Sequence, residues 1–500
     1  MADGPRRITG PATHLARKDA PMQPPDRNDL FIDGAFVPSA SGQVTNAIDP
    51  STGETIATIA SAGPADVDRA VEAARGAAEG TWGMLEPKHR GELLYALSKA
   101  LEEDAEEFAR LETRNTGKPL QRSRREVAST VRYFRYYAGA ADKIHGETIP
   151  LGPDYLDFTL REPLGVTAHI VPWNAPLNMV ARSVAPALAA GNTAVVKPAT
   201  QTPLTALRLA RLISATFPPG TYNVVPGPGT QAGAHLARHP GVDAITFTGS
   251  VQTGREVMRA AADHIKPLVL ELGGKSPSLI LGDADLGLAT REVIKGIYAN
   301  TGQFCNASSR VIVDARVKDA VTEQLVRLTE QLRVGPGIDN PDMGPLISAA
   351  QLDRVLGYIQ AGIDQGARCL TGGGRPHRLD RGYFLAPTVF DQVNPQSRIA
   401  QEEIFGPVLA VLTVEDDDQA LQVANSVQYG LAAGVFTNDL NRAIRLAKNL
   451  KAGQIYVNEY FAGGEETPFG GYKQSGYGRE KGLAALEHYT QIKNVAIRLH

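Results

Sequence analysis

The chain of 500 residues contains two cysteines, and one of them has neighbours suited to chemistry. Cys305 stands in the segment Gln303-Phe304-Cys305-Asn306, downstream of an acidic residue, Glu271, that two glycines follow. A thiol attacks a carbonyl carbon once a base has taken its proton, so the pair suggests a nucleophile and its base. A cysteine in a large chain is more often a packing residue, and the interpretation therefore depends on other segments.

Glu271 lies in the apolar run at residues 268–272, where a strand would bury its carboxyl group. Burial raises the pKa of a carboxyl group towards the range of a general base. The alternative is a position on the exposed face of the strand. Gly273 and Gly274 favour the functional interpretation, because they let other groups approach the backbone closely.

An oxyanion formed by thiol attack needs hydrogen-bond donors that are placed in advance. Asn174, between Pro172 and Pro176, has an amide NH₂ group at the end of a predicted strand, and the prolines stiffen its loop. The backbone N–H of Cys305 is a second candidate donor. Cys369 has no such neighbours, and we expect it to be a packing residue.

A glycine-containing turn and a lysine indicate a bound dinucleotide. The turn at residues 249–254 follows a predicted strand and opens a helical pattern, where free backbone amides can face a pyrophosphate. Lys197 ends another apolar strand, where its ammonium group can bond ribose hydroxyls or a phosphate. A structural turn and a lysine that reaches solvent are the alternatives, but the two features together favour a dinucleotide.

Alternating patterns of strand and helix must position these residues. The alternation from 165 to 273 predicts a doubly wound parallel sheet, whose ligands bind outside the carboxyl ends of the strands. A second alternation from 274 to about 460 predicts another α/β domain. Cys305 falls in a loop between a predicted helix and the strand that begins at Arg310.

Composition excludes several classes of function. A formal net charge of −3 and a pI near 6.4 leave no basic footprint for nucleic acid or an anionic membrane surface. No run approaches the ~20 apolar residues of a membrane helix, and we expect a cytoplasmic protein. The two cysteines lack metal-ligand spacing, so no metal site is predicted. Residues 1–29, rich in proline and basic residues, are expected to form a disordered tail.

From about residue 30 onwards, the chain resembles the NAD(P)-dependent aldehyde dehydrogenase superfamily, in its hydrolytic, non-acylating form. Its signature segments occur in order: Pro172-Trp173-Asn174, Lys197-Pro198-Ala199, Phe247-Thr248-Gly249-Ser250, Glu271-Leu272-Gly273-Gly274-Lys275, Gly302-Gln303-Phe304-Cys305, Glu403-Ile404-Phe405-Gly406-Pro407 and Pro468-Phe469-Gly470-Gly471.

The resemblance implies oxidation of an aldehyde to the acid with NAD or NADP. The aldehyde would form a thiohemiacetal and then a thioester on Cys305, with Asn174 binding the oxyanion and Glu271 activating the hydrolytic water. Residues implied to bind the cofactor are Pro172, Trp173, Lys197, Thr200, Gly249, Ser250, Gly254, Leu272, Glu403 and Phe405. Residues implied to line the substrate tunnel are Ala175, Met179, Phe304 and Phe469.

The resemblance also implies a division into domains. A Rossmann-like cofactor domain would comprise residues 30–140 and 161–272, and a catalytic domain residues 273–460. Residues 141–160 and 480–500 would form a small β oligomerisation arm, pairing chains into a homodimer or homotetramer. The strand-like segments in this arm are too short to be stable alone, in agreement with that expectation.

The chain departs from the family pattern at two positions. Thr200 stands where many NAD-dependent members carry a glutamate that repels a 2′-phosphate, so NADP should be tolerated beside NAD. Ser183 stands where members often carry a lysine of a proton relay, which puts the relay role of Glu480 in question. The segment 458–467 carries three carboxylates and favours a neutral or cationic aldehyde, unless it is a solvated loop.

Two other classes of function remain open from the sequence. A cysteine-dependent esterase or acyl hydrolase would use the same thiol and oxyanion donors but leave Lys197, Gly249 and Glu403 unexplained. A noncatalytic oligomeric binding protein would leave the combination of Cys305, Glu271 and Asn174 unexplained. Glu271 also argues against the acylating relatives that transfer the acyl group to coenzyme A, which usually lack this base.

Overall fold

A computed structural model describes residues 28–500. Residues 1–27 of the predicted tail lie outside the described residues, whereas Asn28 pairs with Ile59 and is buried, so the expectation of a tail up to 29 is wrong at its end. The backbone N–H of Asn28 donates to Thr58 O at 3.2 Å. Asn28 is therefore paired and hydrogen-bonded ahead of the first strand.

The first sheet has the strand order β2-β1-β9-β8-β7-β10-β11-β21. The run from β9 to β11 is parallel, while β1, β2 and β21 pair antiparallel at the edges. The inner strands are nearly continuous apolar runs because helices cover both faces. Their bounds are β1 (Leu30–Ile32), β2 (Ala35–Val37), β7 (Val166–Ile170), β8 (Thr193–Lys197), β9 (Tyr222–Val224), β10 (Ala244–Thr248), β11 (Leu268–Glu271) and β21 (Gly476–Tyr477).

Helices pack on both faces of this sheet. On one face lie α1 (Pro64–Glu79), α7 (Ala234–Arg238) and α8 (Val251–Ala262), with a π-helical turn at Gly229–Gly233 before α7. On the other face lie α2 (Pro87–Glu103), α3 (Ala105–Thr116), α4 (Leu120–Ala140), α5 (Pro176–Ala189) and α6 (Leu204–Ile213). Each set buries its own apolar cluster, as a doubly wound fold requires.

The second sheet has the order β14-β15-β16-β13-β12-β18-β19 and is parallel except at β14. Its strands are β12 (Pro277–Ile280), β13 (Arg310–Asp314), β14 (Arg368–Thr371), β15 (Thr388–Asp391), β16 (Val408–Val414), β18 (Ala432–Phe436) and β19 (Gln454–Val457). Its helices are α9 (Leu286–Tyr298), α10 (Lys318–Glu330), α11 (Ala349–Asp364), α12 (Arg398–Gln401), α13 (Asp417–Asn425) and α14 (Leu440–Asn449), with 3₁₀ turns at Ala299–Gly302 and Gly337–Asp339.

A third, small sheet joins distant parts of the chain in the order β22-β6-β5. It consists of β5 (Thr148–Ile149), β6 (Tyr155–Pro163) and β22 (Thr490–Arg498). Short pairs elsewhere are β3 (Val44–Ile48) with β4 (Thr55–Ala60) and β17 (Tyr429–Gly430) with β20 (Tyr472–Lys473); α15 (Ala484–Glu487) and a 3₁₀ turn at Ala141–Lys143 complete the elements.

The predicted fold class is confirmed: a doubly wound cofactor-type sheet, a second α/β unit and a small β sheet. The predicted domain boundaries stay predictions, and β21 shows that residues 476–477 also belong to the first sheet. None of the helices formed by residues 28–500 is long and apolar enough to cross a membrane. Cytoplasmic localisation stays a prediction from the sequence.

Candidate active site

The candidate residues of the first sheet follow the carboxyl ends of neighbouring parallel strands. Ile170 pairs with both Lys197 and Phe247, and Thr248 pairs with Glu271. The loop that carries Asn174 therefore leaves the sheet beside Lys197 and the turn at Gly249. This edge is where ligands bind in doubly wound sheets.

The loop that carries Cys305 is held in an unusual backbone conformation. After α9 the chain forms a 3₁₀ turn in which Asn300 and Thr301 adopt φ of 51° and 59°. Gly302 follows with φ of 70°, and a Cβ at this glycine would lie 2.1 Å from Gly406 O. A left-handed backbone at non-glycine residues costs free energy, of order 1 kcal/mol or more each, and is typical of functional sites. Contacts with the surrounding structure must hold it.

Side-chain amides fix this loop against Asn174. Asn174 Nδ2 donates to Gln303 O at 2.9 Å, and Asn300 Nδ2 donates to Asn174 O at 3.0 Å. The buried Lys118 Nζ donates to Asn174 O at 2.9 Å. An NH₂ group has two hydrogens, so one N–H of Asn174 remains to donate to a ligand.

The two glycines after Glu271 are needed for close approach. A Cβ at Gly273 would lie 2.2 Å from Glu403 Oε2, and a Cβ at Gly274 would lie 2.4 Å from Cys305 O. The backbone N–H of Gly274 donates to Glu403 Oε1 at 3.1 Å. Side chains at either position would displace Glu403 or the cysteine loop, which supports the sequence argument for these glycines.

Glu271 is buried, and neither of its carboxylate oxygens has a hydrogen-bond partner among residues 28–500. Burial raises the pKa of Glu271 well above its ordinary value, and the charge of Arg182 partly offsets this rise. The Arg182 Nη2 atom lies 3.8 Å from Glu271 Oε2. The site thus holds a buried carboxyl group whose raised pKa favours a role as general base.

Arg182 also forms an ion pair with Glu480, through its Nε atom. The guanidinium lies 4.3 Å from the ring centroid of Phe469 and is 6% exposed. Ser183 does not take part, because its Oγ donates to Met179 O at 3.2 Å on its own helix. A cation therefore joins Glu271 and Glu480 from the position before Ser183, which the sequence analysis missed. The available signal was a single charge in the otherwise uncharged helix α5.

Cys305 is half-buried and lies between two cavities. Desolvation raises the pKa of its thiol to about 12, although Arg182 acts in the opposite direction. A cavity of about 190 Å³ and another of about 290 Å³ both have Cys305 and Met179 in their walls. The thiol can therefore meet one ligand from each side, and it requires a base to become a thiolate.

The wall of the smaller cavity contains most of the residues implied for the cofactor, together with Asn174 and Glu271. The implied cofactor residues in it are Pro172, Trp173, Gly249, Ser250, Glu403 and Phe405. Trp173 and Phe405 meet edge to face at 5.2 Å between centroids. Burial raises the pKa of Glu403 to about 7. Gln351 and Arg354, which the sequence analysis did not single out, also line this cavity.

A dinucleotide fits these residues. The Lys197 side chain is 5% exposed, and no hydrogen bond or ion pair engages its ammonium group among residues 28–500. Desolvation lowers the pKa of Lys197 to about 8, so an anionic or hydroxyl partner would be favourable there. Ser250 caps α8 by accepting the Thr253 N–H at 3.2 Å, and the helix begins directly after Gly249 and Ser250, which line the cavity. The other amides of a helix's first turn have no partner within the helix and can bind an anion.

The other implied cofactor residues, Thr200, Gly254 and Leu272, are not among those that line the smaller cavity. The Thr200 hydroxyl donates to Gly227 O at 3.0 Å. Gly254 lies within α8, where a Cβ would be 2.6 Å from the Leu272 side chain. Gly254 and Leu272 thus pack the helix against the sheet, and their contribution to a cofactor site would be to place the helix terminus.

The larger cavity brings together every residue implied for the substrate: Ala175, Met179, Phe304 and Phe469. The acidic loop at 458–467 does not present free carboxylates to this cavity. Glu465 is buried, accepts from Ser129 at 2.6 Å and pairs with Arg132 at 2.7 Å. The basis for expecting a neutral or cationic aldehyde is therefore absent.

A cluster away from this site deserves comparison with a metal centre. Asp68, His235 and His239 have ligand atoms within 4.8 Å of one another. However, His239 Nδ1 accepts the Gly241 N–H at 3.0 Å, which assigns the ring proton to Nε2, directed at Asp68. Metal-bound histidines donate from the second nitrogen instead, so the geometry indicates a hydrogen-bonded surface cluster.

Comparisons with known proteins agree with this geometry. The model of the aldehyde dehydrogenase family matches residues 36–495. Putative aldehyde dehydrogenase DhaS of Bacillus subtilis (strain 168) is 46% identical over 474 residues, which cover 94% of this chain and 95% of that protein. Hydroxyisobutyraldehyde dehydrogenase of Mycolicibacterium austroafricanum is 45% identical over 473 residues, which cover 94% of each chain.

A solved structure described as the NAD⁺ complex of aldehyde dehydrogenase from Bacillus cereus has a TM-score of 0.94 at 43% identity, covering 95% of this chain and 97% of that chain. The predicted resemblance is thus confirmed along nearly the whole sequence. Cys305 lies between a nucleotide-type cavity and an aromatic-lined cavity, and the family model and these relatives match nearly the whole chain, so the chain belongs to the aldehyde dehydrogenase family.

Proposed function

We propose that Cys305, Glu271 and Asn174 carry out the oxidation of aldehydes to carboxylic acids with NAD⁺ or NADP⁺, the activity of the family to which the chain belongs. The observation that carries this proposal is the position of Cys305 in the walls of both cavities. In this reaction the atom that bonds the aldehyde carbon must also hold that carbon next to the hydride acceptor. The Cys305 sulfur meets both requirements, because Cys305 lines both cavities.

In the first half of the reaction, the Cys305 thiol loses its proton to Glu271 as sulfur bonds to the aldehyde carbon. The carbonyl electrons move to oxygen, where the free N–H of Asn174 and the backbone N–H of Cys305 donate to the oxyanion. A bound nicotinamide dinucleotide supplies the acceptor for the hydride. Loss of hydride from carbon re-forms the C=O bond and leaves a thioester on Cys305.

Glu271 releases the thiol proton to solvent before the second half, in which water attacks the thioester carbon while Glu271 takes a proton from that water. The C–S bond then breaks, the acid leaves and the sulfur keeps the bonding electrons. Both steps need Glu271 in its ionised form before proton transfer. Arg182, beside Glu271 and paired with Glu480, stabilises that ionised form.

Trapping of the acyl-enzyme tests these roles. Glu271→Gln slows both proton transfers, so the variant is first loaded by long incubation with aldehyde and cofactor. Because glutamine cannot take the proton of water, we expect the loaded thioester to persist, and mass spectrometry of the digested protein should find the acyl mass on a peptide containing Cys305. Cys305→Ser, a matched change of one atom, should neither accumulate the adduct nor reduce NAD⁺ or NADP⁺. Adduct on another residue, or undiminished turnover in either variant, would contradict the assignment.

We also propose that the small sheet pairs two copies of the chain. Leu156 and Ile497 face each other across β6 and β22 and are 44% and 42% exposed, and Leu160 on the same face is 41% exposed. A two- or three-stranded sheet with an uncovered apolar face is marginal alone and gains stability from a partner. A second copy of this chain is the partner that the resemblance implies.

A further inference from the structure

Two cations flank one aromatic ring in the larger cavity. The Arg182 guanidinium lies 4.3 Å and the Lys481 Nζ 5.7 Å from the centroid of Phe469. All three side chains are in the wall of the cavity that holds Cys305. Like charges near one another in a desolvated site repel, and each lowers the stability of the other in its charged form.

The two cations differ in their partners. Arg182 has Glu480, whereas no hydrogen bond or ion pair engages Lys481 Nζ in the part of the chain from 28 onwards. Burial of a charge without a partner is costly, and here desolvation lowers the pKa of Lys481 to about 8. Arg182 acts in the same direction, while Glu465, Glu466 and Glu480 act against it from a distance.

The backbone at Lys481 is also strained. Its φ is 64°, in the left-handed region that favours glycine, and Gly482 follows with φ of 58°. Glycine would adopt this conformation at lower cost, of order 1 kcal/mol. An unpaired lysine in such a conformation, directed at a substrate cavity, indicates a function for its ammonium group.

The cavity carboxylates are already neutralised by cations. Glu126 accepts from Lys118 and Arg122, and Glu465 pairs with Arg132. Arg125 lies in the same wall, exposed and with no ion pair among the described residues. The wall of the cavity thus has an excess of positive charge, at Lys481 and Arg125. The cavity volume of about 290 Å³ accommodates a ligand larger than a short aldehyde.

We propose that the larger cavity takes aldehydes that carry a carboxylate at the far end of the chain, and that Lys481 Nζ donates to this carboxylate. The proposal rests on the proposed function, since it assigns the substrate class of the same site. The aldehyde end would reach Cys305, and the carboxylate would provide the missing partner of Lys481. This is the reverse of the substrate charge that the acidic loop suggested.

The test compares glutaric semialdehyde with its methyl ester, which has nearly the same shape and no charge. We expect kcat/KM to be at least about tenfold higher for the carboxylate, the scale of one charge-assisted hydrogen bond. Lys481→Met, which keeps the stem on Phe469, should reduce this ratio about tenfold, mainly through KM. Lys481→Gly, which also relieves the backbone strain, should do the same and guards against a folding defect.

The pH dependence of the substrate preference distinguishes a lysine from an arginine at position 481. For the wild type, the preference for the semialdehyde over its methyl ester should fall as pH rises through about 8, where Lys481 of the free enzyme loses its proton. Lys481→Arg should keep the preference at pH 9, because a guanidinium stays charged there. The exposed Lys448, on α14 away from the cavity, provides the matched control: Lys448→Met should leave the ratio unchanged.

The outcomes distinguish this inference from the function on which it rests. Oxidation of both substrates with equal kcat/KM, or an equal loss for both in Lys481→Met, would overturn the carboxylate site and leave the dehydrogenase intact. Reduction of neither NAD⁺ nor NADP⁺ with either substrate would overturn the carboxylate site, and the same failure with a panel of aliphatic and aromatic aldehydes would refute the proposed function as well. As a second measurement, glutarate should inhibit wild type competitively against the semialdehyde, and dimethyl glutarate should not.

Discussion

Replacement of Arg182 by methionine should move the pH dependence of thioester hydrolysis. Arg182 Nη2 lies 3.8 Å from Glu271 Oε2, and at an effective dielectric constant of 20 two unit charges at that distance attract by about 4 kcal/mol. Salt does not screen such a buried pair effectively. The attraction favours the ionised form of Glu271 and opposes the desolvation that raises its pKa.

The direction of the pH shift depends on which protonation state of Glu271 is active. The base is the carboxylate, so hydrolysis is present above the pKa of Glu271 and is lost as pH falls through it. Without Arg182 that pKa rises further, and the acid limb of the profile moves to higher pH. Only part of the 4 kcal/mol should be lost, because water and neighbouring groups relax; we expect acyl-enzyme decay at pH 7 to slow at least about tenfold and to recover in alkaline buffer.

The assay is the single-turnover decay of the acyl-enzyme, followed across pH so that acylation does not limit the rate. Arg182→Lys keeps a charge and should shift the limb less. Arg132→Met is the matched control, since Arg132 pairs with Glu465 and is 64% exposed. An acid limb at the same pH in wild type and Arg182→Met, with slower decay at every pH, would show that Arg182 is merely structural and refute the electrostatic argument.

Two further predictions concern the cofactor and the small sheet. Thr200→Glu should weaken NADP⁺ relative to NAD⁺ about tenfold in Kd, measured by fluorescence titration, because a carboxylate repels a 2′-phosphate; an unchanged ratio would show that Thr200 does not set the preference. Leu156→Glu should lower the mass found by light scattering, whereas Ile492→Glu on the opposite face of β22 should not. Equal masses for wild type and Leu156→Glu would remove this face from the proposed contact.

The strands that carry the site were predictable because local sequence determines them. Buried parallel strands appear as apolar runs, and the residues just after β7, β8, β10 and β11 could be placed at one edge before any coordinates. Charge pairing across long sequence distances was not predictable. Glu465 looked free in the sequence, yet its partners Ser129 and Arg132 lie more than 300 residues earlier. Such pairs depend on how α4 packs against the C-terminal loop.

Dependence on packing also explains why the absence of a lysine at position 183 did not mean the absence of a cation beside Glu480. Successive residues of a helix point about 100° apart, so Ser183 and Arg182 face different neighbours of α5. Ser183 faces its own helix and bonds Met179 O, whereas the long stem of Arg182 crosses the Phe469 ring to reach Glu480 and Glu271. A positive charge therefore reaches both carboxylates from position 182, although position 183 has none. Its chemistry differs, because an arginine keeps its proton and acts as a fixed charge beside Glu271, where a lysine could pass a proton on.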